Sequence, residues 1–125
     1  MSTPVILDAS VLIAATEPGD AHHREAARLM TAAEPRTMLV HPLTLAEVLV
    51  GGIRRGAGEH LQAAIAAAGV ATTSGDAVSP LDIAIVRRAT GLKLPDAVVA
   101  ATAQALGADL ATFDTALAPA HARLS

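Results

Sequence analysis

At 125 residues the chain is long enough for one domain that buries about two thirds of its unfolded surface, and too short for a multidomain machine. Hydrophobic residues make up 52% and charged residues 17%, with a mean hydropathy of +0.46, so intrinsic disorder is excluded. The absence of Cys excludes disulfides, thiolate metal sites and Cys nucleophiles; a net charge of −3 with one Phe and no Trp or Tyr argues against a passive, base-stacking nucleic-acid binder.

The segment MSTPVILDAS has no basic leader region, and Asp8 interrupts its apolar run, so no signal peptide is expected. No apolar stretch approaches the roughly 18 residues of a membrane span, and the expectation is a cytoplasmic protein. Residues 4–7 read as the first strand, followed by a short helix near 10–16, the turn Glu17-Pro18-Gly19-Asp20 and a helix over 21–33. A strand at 37–40 precedes helices over 44–54 and 58–68, and a strand at 70–73 follows. Ser79-Pro80-Leu81-Asp82 has capping-box spacing with Pro at the first helical position; it opens a helix that runs to Gly91, and a second begins at Pro95 and ends at Gly107. The last strand is read at 109–113. Thirty of the apolar residues are Ala, which suits close-packed helices. Strands alternating with helix pairs predict a single α/β domain over residues 1–125, with a mainly parallel sheet and helices on both faces.

Most of the twelve acids have ordinary explanations as caps, turn residues or solvated helix positions. Asp8 and Asp114 do not, because each ends an apolar strand, and in a parallel sheet both emerge at the carboxyl edge where α/β folds bind ligands. Asp8 could also cap the next helix. Asp109 starts the last strand about 16 Å from Asp114, at roughly 3.3 Å per residue, too far to join the same cluster. Glu47 lies in Leu43-Thr44-Leu45-Ala46-Glu47-Val48-Leu49-Val50, a helix apolar nearly all round, so it is expected to be buried and to need a cation or a partner such as Arg54 or Arg55. Asp96 follows Pro95 in the first turn of a helix, where dipole chemistry could explain it alone.

Gathered at one edge, four carboxylates would repel by about 4 kcal/mol per pair at about 4 Å and an effective dielectric near 20. They therefore imply cations. All-oxygen ligands favour Mg²⁺, with Mn²⁺ as the alternative, and such ions serve phosphodiester cleavage by activating a water and polarising the phosphate. Two divalent ions would turn −3 into about +1, enough to attract RNA, with Arg54, Arg55, Arg87, Arg88 and Lys93 as candidate phosphate contacts. The five histidines show no ligand spacing, and His22-His23 reads as a helix opening or surface.

The stretches Val5–Ile13, Glu47, Leu94–Ala101 and Gly107–Asp114 resemble, in order and separation, the PIN domain, specifically the small ribonuclease toxins of the VapC type. The resemblance implies an α/β/α sandwich of four or five strands and divalent-metal-dependent endoribonuclease activity at Asp8, Glu47, Asp96 and Asp114. It also implies supporting hydroxyls from Ser10 and Thr112, a small antitoxin as partner, and a homodimer. Because eleven residues follow Asp114, the family's last strand would be squeezed into residues 122–125 or missing. Two other readings are an aspartyl-phosphate enzyme, which would want Asp-x-Asp where this chain has Asp8-Ala9-Ser10, and a non-catalytic PIN-like binding module.

Overall fold

In the computed structural model, which describes residues 3–124, four strands form one sheet: β1 (Val5–Leu7), β2 (Met38–Val40), β3 (Val70–Thr72) and β4 (Asp109–Ala111). All neighbours are parallel, in the order β3-β2-β1-β4, with Val5 opposite both Met38 and Asp109. Each crossover carries two helices: α1 (Ala9–Thr16) and α2 (His23–Ala33), then α3 (Pro42–Arg54) and α4 (Gly58–Ala67), then α5 (Pro80–Thr90) and α6 (Leu94–Leu106). A 3₁₀ turn at Gly75–Ala77 precedes α5, and α7 (Leu117–Leu124) closes the chain.

Alternation along β1 divides the core. Val5 and Leu7 face a cluster with Val11 and Leu12 of α1, Val48 of α3 and Leu61 and Ile65 of α4, while Ile6 faces one with Val86 of α5, Val99 of α6 and Leu117 of α7. Helices therefore cover both faces of the sheet, which is the three-layer sandwich expected from the strand order. The local signals worked as chemistry requires. Ser79 Oγ accepts from Asp82 N at 3.0 Å, Pro80 opens α5, and Gly91, with φ of 72°, ends it in the left-handed region. Glycine also lets α3 and α4 approach: a Cβ on Gly58 would stand 2.7 Å from Ile53 Cγ1.

At its end the chain takes the second of the two alternatives that the sequence left open, a missing final strand. Residues 117–124 form α7, so no strand occupies 122–124, and Ser125 lies outside the described residues. Asp114 Oδ1 accepts from Ala116 N at 2.8 Å and Leu117 N at 3.1 Å, which satisfies the donors of the starting helix. Leu117 and Ala120 are buried, Leu124 packs against the same core, and this helical spacing was the legible signal. At the opposite end of the sheet, Arg36 pairs with Asp109 and donates through Nε to Thr3 O at 2.7 Å, so Asp109 ties β4 to β2 rather than joining the acids. Among the described residues no helix is long and apolar enough to cross a membrane.

Ile6 has no solvent exposure and packs in the second core with Val86, Val99 and Leu117. Ile6→Ala is expected to cost about 2–5 kcal/mol of unfolding free energy, read from the denaturant midpoint.

Candidate active site

The order β3-β2-β1-β4 places a topological switch between β1 and β4, since the chain first winds outward through β2 and β3 and then returns to the other side of β1. The carboxyl ends of β1 and β4 diverge into α1 and the loop before α7, and the crevice opens between them. Asp8 and Asp114 follow those two strand ends.

Asp8 is 5% exposed, and Ser10 Oγ and Thr112 Oγ1 both donate to its Oδ2, at 2.9 and 2.7 Å. It occupies the N-cap position of α1 but makes no side-chain cap hydrogen bond, so capping does not explain it. The same hydroxyls fasten the opposite wall. Phe113 N donates to Ser10 Oγ at 3.0 Å, and Asp114 N donates to Thr112 Oγ1 at 2.9 Å. Ser10 and Thr112 thus join β1 to the segment after β4 through Asp8.

Two further acids enter from α3 and α6. The Glu47 carboxyl is raised above the ordinary carboxylate range, first by partial burial and then by the negative charges of Asp8 and Asp96. Asp96 is raised by partial burial, then by Asp114 and Asp8, while Lys93 pulls it partway back. Glu47 and Asp96 thus each feel Asp8, and Asp96 also feels Asp114, which links the four acids through Asp96. Among the described residues no three His, Asp or Glu side chains are placed to hold one ion directly, so the acids form a mutually repelling group rather than a closed coordination shell.

The expected burial of Glu47 is corrected. Its side of α3 is exposed, and so are Leu43, Val50 and Ile53, the last by 68%. Thr44, Leu45, Val48 and Gly52 take the core face, so α3 is apolar all round because two different faces are apolar, only one of them buried. Nor is Glu47 held by Arg55, which pairs with Glu17 at 2.7 Å.

Three features around the site were not read from the sequence. His41 is buried at the start of α3, where its Nδ1 accepts from Leu43 N at 3.0 Å; burial pushes its ring below the ordinary histidine range, in keeping with a neutral acceptor. The His22 ring stacks on Phe113 with centroids 4.8 Å apart, which gives the single aromatic residue a partner next to Asp114. Arg123 of α7 lines the same cleft as Lys93, Asp96 and Asp114, and a cation four residues after a cleft-lining Pro119 is the helical spacing that could have found it.

The sequence matches the PIN domain over residues 5–121, and the chain belongs to the PIN domain family. Its structure is similar to that of Mycobacterium tuberculosis VapC20, described as a sarcin-ricin loop cleaving toxin, with 21% identity, a TM-score of 0.73, and 93% of this chain and 94% of that one covered. It is also similar to a chain of a toxin–antitoxin complex from Klebsiella pneumoniae, with 28% identity, a TM-score of 0.71, and 89% and 87% covered. None of the curated proteins matches it. The resemblance to VapC-type PIN toxins read from the sequence is borne out.

A carboxyl raised by folding binds its proton more tightly in the folded state, so the fold loses stability as pH rises from the ordinary carboxylate range through the raised value. Glu47→Gln removes one such group. Without metal it is expected to melt at a higher temperature than the wild type at about pH 7, with the gain vanishing near pH 4. Melting curves at the two pH values check this, and a lower melting temperature for the variant at neutral pH would show that the carboxylate stabilises the fold.

Proposed function

We propose that the protein is a divalent-metal-dependent endoribonuclease that hydrolyses RNA phosphodiester bonds and acts as the toxin of a toxin–antitoxin pair. The observation that carries this reading is the gathering of Asp8, Glu47, Asp96 and Asp114, from four separate elements, at the switch point of the sheet with raised carboxyls on Glu47 and Asp96. A fold that brings repelling carboxylates together without an Arg partner suits a cation better than any structural purpose.

The donor set fits Mg²⁺, or Mn²⁺ in its place. Both are oxygen-seeking ions, and Mg²⁺ keeps several of its own waters and uses one or two carboxylates. Asp8, Glu47, Asp96 and Asp114 would hold it. When bound, such an ion supplies an activated water and neutralises charge on the phosphate. The hydroxyls of Ser10 and Thr112 both donate to Asp8 Oδ2, which fixes the carboxylate in one orientation. Asp114 spends Oδ1 on the start of α7 and keeps Oδ2. Asp8 and Asp114 are thereby immobilised, whereas Glu47, on an exposed helix face, can adjust.

The substrate and partners follow by likeness and surface. One structural relative is a toxin that cleaves the sarcin-ricin loop, and the other was solved in a toxin–antitoxin complex, which supports RNA as substrate and a small antitoxin as partner. Leu43, Val50 and Ile53 of α3, with Leu81 and Ile85 of α5, are exposed large apolar side chains, which supports a homodimer.

Asp8→Asn is expected to lower RNA cleavage by at least about a hundredfold while leaving the melting temperature without metal near that of the wild type. Millimolar Mn²⁺ should raise the melting temperature of the wild type and not of Asp8→Asn, a difference that an inert binding module would lack. Full cleavage by Asp8→Asn in the presence of a chelator would falsify the proposal.

A further inference from the structure

Lys93, Asp96, Asp114 and Arg123 line one open cleft of about 540 Å³, walled by the loop between α5 and α6 and by the first turn of α7. That volume lies in the range of ligand sites. Its mixed charge is notable in a chain whose net charge is −3. Lys93 occupies the N-cap position of α6, three residues before Asp96. Neither Lys93 nor Arg123 is within ion-pair distance of a carboxylate among the described residues, although the charge of Lys93 is felt at Asp96.

We infer that Lys93 and Arg123 form a phosphate-binding subsite for the RNA nucleotide next to the scissile bond, with α7 as the element that delivers the guanidinium. The inference rests on the nuclease reading and adds to it the residues that seat the substrate. Leu117 and Ala120 face the core and Leu124 packs against it, which turns the row containing Pro119 and Arg123, four residues apart, toward the cleft. Asp114 Oδ1 caps the same helix, so the position of Arg123 is tied to an acid of the site itself.

Electrostatics explain why the cations are needed. Ions at the four acids would offset the acids' own charge there, and a neighbouring phosphate of the polyanion, outside that cluster, gains from a cation of its own. A guanidinium offers a planar fork matched to phosphate oxygens, and an ammonium a compact charge beside it. The helix at the end of the chain thus has a chemical consequence, because its Pro119–Arg123 row lines the cleft.

Steady-state cleavage of a labelled, mixed-sequence single-stranded RNA of about ten nucleotides tests the subsite, together with its binding to the same proteins by fluorescence anisotropy over a range of salt. Arg123→Ala and Lys93→Ala are each expected to raise KM about tenfold with kcat within about twofold. Each should also flatten the logarithmic salt dependence of binding by roughly 0.7. Arg123→Lys should recover part of the lost affinity, the Mn²⁺-induced rise in melting temperature should match the wild type in all three, and Arg28→Ala on the exposed side of α2 should change none of these. If the wild type cleaves in an Asp8-dependent way while Arg123→Ala and Lys93→Ala keep its KM and salt dependence, the subsite is overturned and the nuclease reading stands. Arg123-dependent RNA binding without cleavage keeps the phosphate contact but removes the nuclease reading and the scissile bond it was to flank; neither binding nor cleavage removes both.

Discussion

Four carboxylates at one sheet edge repel one another, and much of the molecule's local architecture is what allows them to stay there. Asp8 carries the constraint. It ends a strand whose three residues are fully buried between two helical layers, so its backbone cannot retreat, and two hydroxyls on its Oδ2 hold the side chain in one orientation. Those hydroxyls also accept from the backbone after β4, so the acid sits in a four-way junction of β1, α1, β4 and the segment leading to α7. Loosening that junction would free the carboxylate, and with it the relation between the two strand ends.

The other acids are held less tightly. Glu47 and Asp96 ride on helices packed against opposite faces of the sheet, and their carboxyls are raised because burial and like charges act together. This division has a physical logic. A site that must accept a hydrated cation and a phosphate benefits from fixed donors at the strand ends and adjustable ones at the rim. Asp114 takes an intermediate place, since one oxygen caps α7 and the other remains for the site.

Most of the fold was legible because its signals are local. Pro at helix starts, Gly in the left-handed region at helix ends and short β-rich runs reflect backbone sterics that do not depend on distant residues, and the strands fell within a residue or two of their expected bounds. The last strand was not legible in this way. Family likeness left a strand after Asp114 either squeezed into residues 122–125 or missing, and a helix forms there, with Leu117, Ala120 and Leu124 packed at helical spacing. Glu47 was misread for a different reason: an apolar sequence all round a helix does not say which apolar face is covered, and in α3 one of them is left open to solvent.

By itself the sequence determined the element order through β4 and the parallel α/β class, and it singled out the four acids as candidates, because each depends on neighbouring residues and on the period of the hydrophobic pattern. Only the tertiary structure decided that Ser10 and Thr112 share one oxygen of Asp8, that Glu47 stands on an open face, and that Arg123 meets Lys93 in the cleft beside Asp96. Those contacts join residues as many as 104 positions apart, and no local preference records them: they arise when the sheet is wound in the order β3-β2-β1-β4 and the two central strands deliver their ends to the same crevice.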